Sequence, residues 1–132
     1  MSFYFSTTLS VPFAQAIADV TAALAKRGFG VLTDIDVQGT LKRKLDVDIP
    51  PYRILGACNP QMAFAALQIE NKIGTMLPCN VVVRDAGGGA VEVAAVDPVA
   101  SMMGIEKPAL GEVAKQVREL LEQVIADLSP QP

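Results

Sequence analysis

An α+β domain is the fold this chain of 132 residues predicts: one twisted, mostly antiparallel sheet of about five strands, with helices packed mainly on one face. Three observations predict it. Gly87-Gly88-Gly89 joins two Val-rich runs, the mark of a hairpin and so of an antiparallel pair. Segments with apolar residues at helical spacing are interspersed with short β-type runs. The apolar fraction of 51% fills a core in a chain of ordinary domain length, with no need of disulfide or metal. That core must be aliphatic, because aromatics are 5% of the chain and Trp is absent. We expect a single domain over residues 1–128 and a frayed tail over 129–132.

Residues 3–9 predict the first strand. Ser10 is the expected cap of the first helix, with Pro12 inside its first turn. Phe13, Ile17, Val20 and Leu24 then share one helical face, and Gly28 ends the helix. Residues 29–37 alternate as a strand. Phe29, Val31, Thr33, Ile35 and Val37 fall on one side, Asp34 and Asp36 on the other. Residues 38–46 predict a short polar helix pinned by Leu41 and Leu45, and Ile49-Pro50-Pro51 breaks the chain.

Residues 52–58 predict a buried strand. Asn59-Pro60 is a strong helix start, an Asx cap followed by proline at the first helical position. That helix is expected to reach about residue 72 and close at Gly74. Pro78 opens a strand over 79–85, and 91–96 is its return partner. Asp97-Pro98 repeats the cap-then-proline signal before a short helix through Met103, ended by Gly104. The last helix is expected over 108–128. Its apolar stripe is Leu110, Val113, Val117, Leu120, Val124 and Leu128.

Composition narrows function. A net charge of -3 lacks the basic footprint that nucleic acid requires. The one basic cluster, Lys42-Arg43-Lys44, is flanked by Asp34, Asp36, Asp46 and Asp48 and reads as a solvated face. Asp34 and Asp36 could bind a cation, although a solvated edge explains them. No apolar run reaches the ~20 residues of a membrane span, and residues 1–8 read as a strand and not a signal peptide. A cytoplasmic location follows by default, with reduced thiols. The chain has no histidine, so no Ser-His-Asp or Cys-His pair and no histidine-ligated zinc can form. Gly87-Gly88-Gly89 lacks the Lys and Ser/Thr of a phosphate loop. No cofactor is implied.

What remains is thiol chemistry. The chain's two cysteines both stand in Cys-Asn dipeptides, Cys58-Asn59 and Cys79-Asn80. Cys58 lies at a strand end just before a helix N-terminus, whose partial positive charge can lower a thiol's pKa below the ~8.5 of a free cysteine. The bland alternative is a small buried hydrophobe. Cys79 also sits at an element boundary, and the thiols meet if their strands are neighbours. Cys58 is then the candidate nucleophile and Cys79 the resolving thiol of thiol-based redox or sulfur-transfer chemistry, or the pair lines a small-ligand pocket, with Asn59, Glu70 and Asn80 as candidate ligand-orienting groups. Simpler uses exist: Asn59 and Asp97 as caps, Asn80 at a strand edge, Glu70 on an exposed surface. A two-Cys site for Cu(I), helped by Met76, Met102 or Met103, is chemically reasonable. From a different class, the last helix could present its stripe to a partner or a second copy.

These residues resemble a known family. The strings Tyr52-Arg53-Ile54-Leu55-Gly56-Ala57-Cys58-Asn59-Pro60 and Leu77-Pro78-Cys79-Asn80-Val81-Val82-Val83, with Glu70 between them and Asp97-Pro98 after, are similar to the DUF302 pattern. Upstream, Gly28-Phe29-Gly30-Val31-Leu32, Asp36-Val37-Gln38 and Leu41-Lys42-Arg43-Lys44-Leu45 fit it too, so the resemblance spans about residues 3–128. It implies a TT1751-like fold, related in layout to half of a TATA-binding-protein-like (TBP-like) architecture, and a homodimer. It implies no reaction, and family members often carry a basic residue where Asn80 stands.

Overall fold

Five strands and five helices follow one another along the chain in a computed structural model that describes residues 2–130. The strands are β1 (Tyr4–Leu9), β2 (Gly30–Asp36), β3 (Tyr52–Cys58), β4 (Cys79–Gly87) and β5 (Ala90–Val96). The helices are α1 (Phe13–Lys26), α2 (Val37–Leu45), α3 (Pro60–Ile69), α4 (Pro98–Ser101) and α5 (Pro108–Leu128), and a 3-10 turn covers Ile73–Met76. The sheet runs β1-β5-β4-β3-β2, and every neighbouring pair is antiparallel. This is the expected α+β architecture. The β4–β5 hairpin turns at Gly88-Gly89, both at positive φ, as a tight turn between right-twisted strands requires.

The core lies on one side of the sheet. Leu55, Ala57, Cys79, Val81, Val83, Val91, Val93 and Ala95 alternate along three central strands and are all buried. Against them pack Ala16, Val20 and Leu24 of α1 and Val117, Leu121 and Val124 of α5. A smaller cluster of Ala66, Ile73 and Leu110 fills the space under α3. The other sheet face carries no helix of this kind and shows Tyr4, Tyr52, Val82, Arg84, Glu92, Ala94 and Val96.

The α5 stripe therefore faces inward. Leu110, Val117 and Val124 are buried, and Val113, Leu120 and Leu128 pack against the core, so the stripe is no external partner surface. Ser129 follows it, with Oγ 3.0 Å from Thr7 Oγ1 and 2.8 Å from the Ile125 carbonyl oxygen. Gln131 and Pro132, the end of the expected frayed tail, lie outside the described residues.

Several local expectations are corrected. Pro12, and not Ser10, is the N-cap of α1, with φ -57 and ψ 150 and no side-chain cap. Proline holds Val11 extended, which rules out a cap at Ser10, and Pro12 is itself extended, so the first helical residue is Phe13. Strand β2 does not keep one alternation: Val31 pairs with Ala57 but Thr33 with Gly56, so Leu32 is an extra, bulged residue. The bulge moves Thr33 and Ile35 to the open face and places Asp34 beside Leu55. Val37 already belongs to α2. Leu45 is 66% exposed and pins nothing. Helix α3 stops at Ile69, because Glu70 is extended (φ -143, ψ 110) and Ile73 turns inward to a buried site. Gly74 lies in the 3-10 turn, and α4 ends at Ser101.

Candidate functional site

Cys58 ends β3 and Cys79 begins β4, and the two strands are neighbours with Ala57 paired to Cys79. Both thiols therefore sit at the same end of the sheet. Local chemistry fixes each. After Cys58, Asn59 turns the chain: its Oδ1 accepts the Met62 N–H at 3.2 Å, and Pro60 starts α3 where an N–H has no partner anyway. Before Cys79 the Leu77–Pro78 bond is cis, and the Pro78 ring lies against β3 at Gly56. Gly56 makes room for it, since a Cβ there would run into Thr33 Oγ1 and Pro78 Cγ. On the other side, Asn59 packs over Gly28. This glycine, at φ +85, closes α1 with Gly28 N–H to the Ala25 carbonyl and Phe29 N–H to the Leu24 carbonyl.

The two thiols line one narrow cavity of about 30 Å³, at the seam between the two core clusters. Its wall is apolar: Phe29, Ala57, Ala63, Ala66, Leu77, Pro98 and Val113 contribute, and Asn59 is the one polar side chain. Met62 and Met102 complete it. Cys58 is partly exposed, whereas Cys79 is buried, with 8% of its surface exposed. Burial pushes the Cys79 thiol up to about 11, and the nearby Cys58 adds to the shift. At neutral pH only about one Cys79 in ten thousand is a thiolate.

Of the residues singled out in the sequence, Cys58, Cys79 and Asn59 meet at this cavity, and Glu70 and Asn80 do not line it. Glu70 caps the end of α3. Its carboxylate accepts from Lys107 Nζ at 2.8 Å and from the Lys72 N–H at 2.9 Å, which together hold its pKa below the usual carboxylate value. Asn80 lies on the far side of β4, in a more open cleft of about 250 Å³ with Thr75 and Ser101. Asp34 and Asp36 find separate partners: Asp34 receives Arg53 through two bonds of 2.7 Å, and Asp36 caps α2 by accepting the Gly39 N–H. Met76 and Met103 are exposed. Among the described residues no three His, Cys, Asp or Glu side chains gather as a metal site, and no helix is long and apolar enough to cross a membrane.

Sequence reasoning missed two features. Met62 lies in the first turn of α3, just after Cys58, and that nearness in the chain was the available signal. Arg118 gave none. Its guanidinium lies 5.6 Å from the Phe5 ring centroid, and its Nε is 3.5 Å from Asp97 Oδ2. Asp97 is buried and caps α4 by accepting from the Val99 and Ala100 N–H groups, which steadies Pro98 at the cavity wall.

Comparison with known proteins agrees with this fold. Residues 5–128 match the family profile described as "Domain of unknown function DUF302". The fold is similar to the crystal structure of an uncharacterized conserved DUF302 protein from Bacillus stearothermophilus. That chain is 28% identical, with a TM-score of 0.88 over 97% of this chain and 99% of the other. No curated protein matches.

Proposed function

This chain belongs to the DUF302 family, and from that premise we propose that it is a thiol-centred domain whose Cys58 takes up a small group at the Cys58–Cys79 cavity. The observation that carries this reading is the convergence of the chain's two cysteines, 21 positions apart, on one apolar slot beside the N-terminus of α3. Cys58 is the entry thiol, because it alone of the pair is open to solvent. Cys79 is a protonated neighbour, held so by burial. A disulfide-forming cycle needs a resolving thiolate, and at neutral pH Cys79 supplies very little of one. The site therefore favours a lasting group on Cys58 over rapid dithiol exchange. Asn59, next to Cys58 in the chain, caps the N-terminus of α3.

Alkylation of the native protein at rising pH, followed at each cysteine by peptide mass spectrometry, tests this. Cys58 should react in the folded protein, being partly exposed, and Cys79 only near pH 11 or after unfolding. If both thiols resist until the chain unfolds, the cavity is core and the reading falls.

A second reading, a Cu(I) carrier, is favoured by Met62 and Met102, whose thioethers share the slot with both thiols. Titration with Cu(I) in the presence of a competing chelator separates the two, since a carrier binds one equivalent tightly and loses it in Cys58→Ser.

A further inference from the structure

The size and lining of the slot restrict what Cys58 can hold there. The enclosed part of the slot, about 30 Å³, accommodates one or two water-sized groups, and a larger group on Cys58 would extend toward solvent. Apolar walls disfavour a group carrying oxygens or a full hydration shell, because each buried polar atom would need a partner that Phe29, Ala57, Ala63 and Leu77 do not offer. A single sulfur atom fits both limits, being small, polarisable and content with apolar contact. A sulfur bonded to Cys58 is carried in the slot as the protonated persulfide, its charge on loading being taken up by a proton from solvent, since apolar walls disfavour an anion as they disfavour oxygens. The Cys79 S–H stands on the same wall as a weak donor.

We propose that the group carried on Cys58 is a sulfane sulfur, so that the protein accepts one sulfur atom from a persulfide or polysulfide donor and shelters it as a Cys58 persulfide. This deepens the Cys58 reading above and rests on it. In loading, the Cys58 thiolate attacks the outer sulfur of a donor R–S–S⁻. The donor's S–S bond breaks, R–S⁻ leaves, and a new S–S bond forms at Cys58, with the charge on the terminal sulfur until a proton from solvent takes it up. In unloading, an acceptor thiolate attacks that terminal sulfur and Cys58 leaves as thiolate. One S–S bond is exchanged for another in each step, so no oxidant or reductant is consumed. A mixed disulfide with a bulky thiol would have to lie outside the slot, exposed to exchange.

Inorganic polysulfide is the probe. The folded protein is incubated with it, freed of excess and read by intact and peptide mass spectrometry, with cyanide release of thiocyanate as a second readout. The expected product is one added sulfur on Cys58, at least ten-fold above Cys79, absent in Cys58→Ser. Ala63→Leu, which narrows the slot without touching either thiol, should shorten the persulfide's lifetime several-fold while Cys58 still alkylates. Ready alkylation of Cys58 with no sulfur uptake overturns the sulfur proposal and leaves the Cys58 reading standing. Failure of both reactions removes both. Equal loading of the two cysteines, or a lifetime unchanged in Ala63→Leu, overturns the sheltered-sulfur proposal.

Discussion

Cys79 shows how burial alone sets the behaviour of a residue. Its folded pKa of about 11 lies above the 9.0 of an ordinary thiol, so folding favours the protonated form. The sign follows: Cys79 contributes its full stability below pH 9, and that contribution is lost as pH rises toward 11. Two pKa units correspond to roughly 2 kcal/mol lost by the upper end of this window. Urea unfolding at neutral pH and near pH 11 should show wild type losing that much more than Cys79→Ala, which isolates this thiol from lysine and tyrosine titration. Parallel losses in the two proteins would mean that Cys79 is hydrated. Gly56 acts by its missing side chain. Gly56→Ala must displace Pro78 or Thr33 and should destabilise by about 1–3 kcal/mol. Alkylation of its Cys79 below pH 9 would report the displacement.

At the scale of elements, the site is a meeting of termini: the end of α1 at Gly28, the start of α3 at Asn59, the end of β3 and the start of β4. Asn59→Ala removes the cap and should cost about 1 kcal/mol in thermal or urea unfolding, whereas Asn59→Asp keeps it. The caps at Asn59-Pro60 and Asp97-Pro98 were legible in the sequence because a cap is made by residues three or fewer apart. The hairpin and the whole of β3 were legible for the same local reason. The facing of β2 was not. A bulge at Leu32 depends on which partner β3 offers, and Asp34 reaches Arg53 only once the strands have paired. The end of α3 was hidden likewise, since Lys107, 37 positions away, helps hold Glu70 out of the helix. Cys58, Cys79 and Asn59 could be picked out as residue types, but their shared cavity needed the order β4-β3, which no local pattern states. Arg118 was invisible because a lone arginine on an exposed helix face looks like any other.

The whole molecule is asymmetric about its sheet, and that asymmetry bears on assembly. Helices α1 and α5 cover one face and leave the other to Ile54, Val82, Ala94 and Val96, rimmed by Tyr4 and Tyr52. A second copy of the chain is the occupant we propose for that open face, in place of any contact through α5. Five strands about 4.8 Å apart and about 20 Å long present roughly 500 Å² per copy, or about 1,000 Å² in all. That is the lower limit for a specific interface, so the dimer should be concentration-dependent. Charge permits it: Arg84 and Glu92 pair at 2.7 Å on this face, so neither brings an uncompensated charge to the interface. Sedimentation across a range of concentrations should show monomer and dimer in exchange. Val82→Arg, which adds a second cation beside Arg84 at the centre of the face, should leave a monomer with unchanged circular dichroism. A monomer at every concentration in the wild type would rule the interface out. A dimer undisturbed by Val82→Arg would move it to the exposed edge of β2, where Leu32 and Ile35 lie open.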